Sequence, residues 1–307
     1  MDDTSNKKNK VRILHLYHDL MNLYGDWGNA AVLARLLNAR GSPAGVECRS
    51  VGDEVDFSVY DFVYIGSGTE RSQRACMRDL ARHAKALLER IDSGMHALAT
   101  GNSHELFGRT ITQAGGERYD ALGLLDFSTI QLASRVTGDC VFKASEQAFV
   151  PDSQPPAGPG GSGQPLATLL PERLVGFINR AGCGQTGPVQ RPFITETGPG
   201  ARDPVTEDGT ASPGRKGEEA NSPGRKDEGA NSPGCDGEGV VYKNLLGTYM
   251  TGPVLVRNPP LLKYFADRLC PESRGEGTGG DPFFDYQEKA YVMALSELTA
   301  FSRRQPK

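Results

Sequence analysis

Residues 97–108 read ALATGNSHELFG. A short apolar run ends at Gly101, three small polar or ring-bearing residues follow, and a helix-like pattern then begins. Strand–turn–helix corners of this kind carry the nucleophile in many α/β hydrolases. The corner residue here is a glycine, which has no side chain that could attack a substrate. The stretch therefore predicts a strand–turn–helix corner that is present without a nucleophilic side chain.

Strands and helices alternate on both sides of this corner. Apolar runs typical of buried strands occupy 11–17, 45–51, 60–65 and 96–100, and apolar residues at helical spacing occupy 27–40 and 70–92. Strands that alternate with helices favour a mostly parallel sheet with helices on both faces. The sequence thus predicts an α/β fold.

Composition narrows the classes of protein that fit. The chain has 307 residues and a formal net charge of −4, which gives no reason to expect charge-driven binding to nucleic acid or to a membrane surface. No run of about 18 apolar residues is present, and the first residues, MDDTSNKKNK, lack the apolar segment of a secretory signal. We therefore expect a cytoplasmic protein with no membrane or nucleic-acid partner. The six cysteines include no CxxC pair, so we expect free thiols and no metal site.

Two segments interrupt the core-like pattern. Residues 151–170 are rich in Pro, Gly and Ser, and residues 198–238 contain a tandem repeat with a period of ten, as in NSPGRKDEGA at 221–230. The repeats have no apolar face on which to stack, so both segments are predicted to be disordered insertions. We expect a disordered N-terminus over 1–10, a single domain over 11–270 that carries both insertions, and a Gly-rich break with a C-terminal helix over 271–307.

An ordered set of stretches carries a resemblance to a known family. They are YHDLMNLYGDWGNAAVLARLLNARG (17–41), YDFVYIGSGTERSQ (60–73), ALGLLDFSTI and SRVTGD (within 121–139), LVGFINRAG (174–182) and VVYKNLLGTYMTGP (240–253). They resemble the opening, the IGGGxxREQ-type segment, the middle, the GFENHxG segment and the YKNxxGTYLHGP segment of GatD-type glutamine amidotransferases. This family is related to the amidotransferase domain of cobyric acid synthase. Each motif alone is weak, but the ordered set is specific.

The resemblance implies a class I glutamine amidotransferase domain with a flavodoxin-like, doubly wound and mostly parallel sheet. In this family a cysteine at the strand–helix corner attacks the side-chain amide of L-glutamine, and a histidine near the C-terminal end acts as base and then as acid. The released ammonia passes to a MurT-type ligase, which consumes ATP and amidates the D-glutamate of the lipid II stem peptide. The resemblance therefore implies a heterodimer with a MurT-like partner in peptidoglycan biosynthesis, and no cofactor of this chain's own.

Both catalytic positions of the family are substituted. Gly101 stands at the nucleophile position and Thr251 at the base position, so the resemblance implies an impaired catalyst. Hydrolysis of an amide by this route needs a thiolate and a nearby base. Glycine supplies no nucleophile, and threonine is no general base near neutral pH. Whether the chain is an active enzyme stays open at the level of the sequence.

Other family features are retained. Arg135, in SRVTGD, matches a family arginine that holds the substrate glutamine, and its guanidinium could pair with an α-carboxylate. Gly66, Ser67 and Gly68 match the loop that lends oxyanion-hole amides. The alternatives are a surface salt bridge for Arg135 and an ordinary turn for the loop. Asp26 is expected to cap the helix that follows it.

Two other groups could in principle rescue catalysis. Ser103 and His104 lie just past the corner, but adjacent residues of a helix point in different directions. Cys183 falls where the family has a non-nucleophilic residue, so an unreactive thiol is favoured there.

Three hypotheses of function follow. The chain is an impaired GatD-like subunit that pairs with a MurT-like ligase, a noncatalytic glutamine-binding, scaffold or regulatory module, or an active glutaminase that uses an arrangement the sequence does not reveal.

Overall fold

The computed structural model describes residues 10–150, 163–186, 190–198, 237–274 and 276–304. Most of the N-terminal segment and of the two insertions predicted to be disordered lies outside these described residues. The described end of the first insertion differs from the expected disorder: Gln164–Pro165 form a strand and Leu166–Leu169 a short helix, because Leu166 and Leu170 are buried in the core. Nothing in the structure tests the disorder expected of the remaining residues.

The described elements alternate as the sequence predicts. The strands are β1 (Val11–Leu16), β2 (Ala44–Arg49), β3 (Phe62–Ile65), β4 (His96–Thr100), β5 (Thr110–Thr112), β6 (Arg118–Asp120), β7 (Ser128–Ala144), β8 (Phe149–Val150), β9 (Gln164–Pro165), β10 (Leu174–Thr186), β11 (Phe193–Thr197), β12 (Val240–Tyr242), β13 (Leu245–Thr248) and β14 (Met250–Thr251). The helices are α1 (Gly28–Ala39), α2 (Glu70–Leu80), α3 (Ala84–Asp92), α4 (Leu166–Leu169), α5 (Val254–Arg257), α6 (Pro259–Leu269) and α7 (Pro282–Arg304).

The first sheet has the strand order β12-β13-β4-β3-β1-β2. Its strands pair in parallel except for β12, which runs antiparallel to β13 at one edge. Successive strand residues point to opposite faces, and both faces are apolar here. Leu98 packs in one core cluster with α1 and α6, whereas Ala97 and Ala99 pack in the other with α2 and α3. The predicted parallel α/β sheet with helices on both faces is confirmed.

A second sheet was not predicted. Its order is β14-β10-β7-β5-β6, with β11 also paired to β7, and most of its pairs are antiparallel. The strand β7 exposes polar residues over much of its length, so the sequence offers no long apolar run to reveal it. Because β14 follows β13 with only Tyr249 between them, the two sheets meet at the carboxyl end of β13. This junction positions the candidate site.

Two predicted helices differ in the structure. The helical pattern over 70–92 is divided into α2 and α3, which are separated by a turn at 81–83. Both helices bury apolar residues against the same cluster, Leu80 in α2 and Leu87 in α3, so the periodicity alone cannot reveal the break. After the corner, residues Gly101–Phe107 form a 3₁₀ helix.

Within the described part of the chain, no helix combines the length and the apolar character that crossing a bilayer demands.

Candidate functional site

A solvent-open cleft of about 410 Å³ lies where the two sheets meet. Ser67 and Gly68, which follow β3, line it together with Gly101, which follows β4. Arg135 from β7 and Thr251 from β14 complete the part of the lining that the sequence predicted. Further lining residues are Leu23, Tyr24, Glu70, Asn102, Glu105, Gln131, Asn179, Arg180, Ala181, Gly182 and Tyr249. The structure therefore gathers residues that are far apart in the sequence at the carboxyl ends of the parallel strands.

Gly101 and Thr251 are neighbours in this cleft. A Cβ atom built on Gly101 would lie 3.2 Å from Thr251 Cγ2. The Thr251 hydroxyl donates to the carbonyl oxygen of Phe177, 3.2 Å away, and the residue is buried. Gly101 has a φ of +61°, a left-handed conformation that glycine adopts without strain. The two positions at which the resemblance predicts the nucleophile and the base are thus neighbours in the structure.

Asp26 is held beneath the loop that follows β3. The Ser67 backbone N–H donates to Asp26 Oδ2 at 2.7 Å, and the Ser67 hydroxyl donates to the same oxygen. The expectation that Asp26 caps the next helix is wrong. Asn22 Oδ1 accepts from the Trp27 N–H instead, at 2.8 Å. The Asp26 carboxylate instead accepts a hydrogen bond from Ser67, which lies 41 residues away in the sequence. A contact over that separation cannot be predicted from local sequence.

The loop amides of the predicted oxyanion hole are already engaged. Ser67 N–H donates to Asp26, and Gly68 N–H donates to Asn102 Oδ1 at 3.0 Å. Asn102 returns a hydrogen bond from Nδ2 to the Gly68 carbonyl oxygen, also at 3.0 Å. Gly66 packs against Met21 and Asp26. Since an oxyanion hole requires N–H groups aimed at the substrate, these contacts favour a structural role for the loop.

Arg135 lines the cleft, and three of the five N–H groups of its guanidinium donate to protein groups. Its Nε donates to Asn179 Oδ1 at 2.6 Å and its Nη2 to the Asn179 carbonyl oxygen at 2.8 Å. Its Nη1 pairs with Glu70 Oε1 at 2.9 Å. Asn179 is held in turn by the Tyr24 hydroxyl, 2.8 Å from its Nδ2. A ligand carboxylate would therefore compete with Glu70 for the charge of this arginine.

Ser103 and His104 do not form a nucleophile–base pair. The Ser103 hydroxyl bonds to the backbone oxygens of Ile65 and Thr100, at 3.0 and 2.8 Å. His104 Nδ1 lies 2.7 Å from the Gly101 carbonyl oxygen, and the ring packs on Tyr249. Both side chains are buried, and burial lowers the pKa of His104 to about 4. Ser103 and His104 are therefore structural residues of the buried core.

Glu105 is a cleft residue that the sequence analysis missed. It is buried and accepts hydrogen bonds from Gln73 Nε2 at 2.9 Å and from the Tyr249 hydroxyl at 3.0 Å. Burial raises the pKa of this carboxyl, and the hydrogen bonds from Gln73 and Tyr249 oppose the rise. The only signal in the sequence was an isolated acid before the apolar pair Leu106-Phe107.

The described part of the cleft contains no cluster of thiols or of metal-binding side chains. Among the described residues that line it there is no cysteine and no histidine. Cys48 and Cys76 carry free thiols, and burial raises the pKa of Cys76 to about 12. The side chain of Cys183 and all of Cys235 lie outside the description. Among the residues that the structure describes, no group of three or more His, Cys, Asp or Glu side chains could hold a metal ion.

The protonation of Asp26 makes a testable prediction. Burial raises its pKa from 3.8 to about 7, although the hydrogen bonds from Ser67 oppose the rise. A carboxyl with a raised native pKa contributes stability at low pH and loses it as pH rises through the native value. Asparagine does not titrate, so Asp26→Asn does not lose this stability. The unfolding free energy of the variant minus that of the unsubstituted chain should therefore be about 1–3 kcal/mol larger at pH 8 than at pH 5.

Urea denaturation at the two pH values measures this gain. Asp120→Asn, at an exposed position, is the matched control for loss of a carboxylate charge. An Asp26→Asn difference that stays constant from pH 5 to pH 8 would show that Asp26 is ionised throughout.

Comparison with known proteins gives a consistent result for the whole chain. The sequence profile of the CobB/CobQ-like glutamine amidotransferase domain matches residues 12–259. The lipid II isoglutaminyl synthase (glutamine-hydrolyzing) subunit GatD of Staphylococcus aureus is 25% identical over 97% of this chain and 98% of its own length. The subunit of the same name from Streptococcus pneumoniae is 26% identical over 95% of this chain and 89% of its own length.

Solved structures with a similar arrangement include a glutamine amidotransferase from Thermotoga maritima, with a TM-score of 0.46 and 12% identity over 96% of this chain and 99% of that one. Another is the glutaminase domain of Trypanosoma brucei CTPS with bound acivicin, with a TM-score of 0.45 and 9% identity over 85% of this chain and 94% of that one.

Proposed function

Because the chain belongs to the family of CobB/CobQ-like glutamine amidotransferase domains, we propose that it is a GatD-like subunit that no longer hydrolyses glutamine. In this proposal it pairs with a MurT-type ligase, the partner that the sequence resemblance implies. It stabilises or positions that ligase, which takes ammonia from solution. The acceptor is the D-glutamate of the peptidoglycan stem peptide, and the complex acts in the cytoplasm.

One observation carries the loss of catalysis. Gly101 and Thr251 face each other at the junction of the two sheets, where the resemblance places the nucleophile and the base. The side chains described around them offer no thiol or imidazole to replace the missing pair. Two loop amides that could stabilise an anionic intermediate donate to Asp26 and Asn102 instead. These contacts support a fold that is retained for assembly.

Co-purification tests the proposed partnership. We expect the chain, co-expressed with the MurT-type ligase of its own organism, to elute with it as a stoichiometric complex. The S. aureus and S. pneumoniae relatives are both named as subunits, which supports this expectation. Separate elution of the two proteins, with no change in the stability of the ligase, would contradict the partnership.

A second candidate function is a noncatalytic binding module for glutamine. The cleft retains Arg135, which can pair with an α-carboxylate. The Glu70 carboxylate forms an ion pair with Nη1 of that guanidinium. If the cleft binds L-glutamine, the ligand and Glu70 compete for the same cation.

This competition predicts opposite effects for two substitutions. Glu70→Gln should tighten L-glutamine binding by about 1.4- to fivefold, because a half-exposed ion pair is worth about 0.2–1 kcal/mol. Arg135→Met should abolish the binding. Isothermal titration calorimetry measures both effects, with Glu89→Gln on the distant helix α3 as the matched control. Unchanged affinity in both variants would remove the cleft from consideration as a glutamine site.

A further inference from the structure

The space beside Gly101 is already filled. A Cβ atom built on Gly101 would approach Ser67 Cβ more closely than two nonbonded carbon atoms can. It would also lie 3.3 Å from Ser67 Cα. Any side chain at position 101 therefore meets the side chain of Ser67 first.

Ser67 has little freedom to move aside. Its hydroxyl and its backbone N–H both donate to Asp26 Oδ2, and its carbonyl oxygen accepts from Leu23 N–H at 3.0 Å. The residue is 3% exposed. Cβ atoms on Gly66 or Gly68 would collide with Met21, so the backbone on both sides of Ser67 is closely packed. Displacing the Ser67 Cβ would require a shift of this loop.

We propose that positions 67 and 101 form a mutually exclusive pair, in which only one of the two can carry a side chain. Ser67 occupies the space that a corner nucleophile would need. A cysteine restored at position 101 can then be accommodated only if Ser67 becomes glycine. The functional part of this inference rests on the proposed loss of catalysis, whereas the packing part does not.

A double-mutant cycle on unfolding tests the packing part. The variants are Gly101→Ala, Ser67→Gly and their combination. Gly123→Ala is the matched control, because Gly123 has a φ of +65° and no atom within 4 Å of its built Cβ. It reports the cost of the left-handed backbone alone. Urea denaturation of all variants gives the unfolding equilibrium constants.

The expected result is strong coupling between the two positions. Gly101→Ala should destabilise the chain about tenfold to a hundredfold more than Gly123→Ala, because it adds overpacking to backbone strain. In the Ser67→Gly background the excess should vanish. Equal costs of Gly101→Ala in both backgrounds would overturn the inference. So would failure of the double variant to fold, since relief of the collision should restore folding.

Activity tests the functional part. We compare Gly101→Cys/Thr251→His with the same pair combined with Ser67→Gly, and measure ammonia released from L-glutamine. Only the triple variant should gain release, and equal release by the two variants, at any level, would overturn the functional part. Ammonia release by the unsubstituted chain would instead refute the proposed function and leave the result of the unfolding cycle intact. Additive unfolding costs would refute the pair and leave the proposed function intact.

Discussion

A complex of this chain with the proposed MurT-type ligase is expected to form amide from ammonium chloride but not from L-glutamine. The rate with glutamine should be lower by at least about 10³-fold, because removing the nucleophile of such a site leaves only the weak contributions of binding and oxyanion contacts. The oxyanion contacts are weakened as well, because two of the loop N–H groups already donate to Asp26 and Asn102. The measurement is ATP-dependent amidation of the acceptor with each nitrogen source at equal concentration.

Two controls make this result specific. The ligase without this chain shows how much of the ammonia-dependent rate depends on assembly. Cys183→Ser removes the thiol one residue beyond Gly182 of the cleft. Amidation that proceeds equally well from glutamine would contradict the loss of catalysis, and its sensitivity to Cys183→Ser would identify the nucleophile.

Asn29→Ala is expected to lower the free energy of unfolding by about 2–4 kcal/mol, because it leaves several buried polar groups unpaired. Asn29 is fully buried in α1. Its Nδ2 bonds to the Tyr64 hydroxyl at 2.8 Å and to the Gly252 carbonyl oxygen at 3.0 Å, and its Oδ1 accepts from Leu255 N–H at 2.7 Å. This side chain therefore ties α1 to the segment that follows Thr251.

Urea denaturation measures the effect. Asn38→Ala is the matched control, because Asn38 lies on the same helix but is exposed, so water can replace its hydrogen bonds. We expect it to cost less than about 1 kcal/mol. Equal costs at the two positions would show that Asn29 does not hold the segment as described.

The parallel sheet could be predicted from the sequence because both of its faces are buried. Residues such as Leu98 and its neighbours Ala97 and Ala99 are all apolar, which gives continuous runs bounded by turns. The second sheet could not, because β7 and its neighbours pair over long sequence distances and expose polar side chains. Hydrophobic patterning carries no information on such pairing.

The candidate site was predictable only in part. The resemblance predicts which residues stand at the positions of the nucleophile and the base, and the structure places Gly101 and Thr251 side by side. The partners of Arg135 and Asp26 were not predictable, because Glu70 reaches Arg135 from helix α2 and Ser67 reaches Asp26 from the loop after β3. The collision between Ser67 and a side chain at position 101 is likewise visible only in three dimensions.

We propose that the cleft between the two sheets does not cleave the side-chain amide of glutamine. Ammonia release from L-glutamine by the purified chain, alone and with its ligase partner, tests it most directly. We predict no release above the rate without protein, in both cases. Release at an appreciable rate would contradict this prediction, and release that persists after every thiol is alkylated would point to a nucleophile other than a thiol.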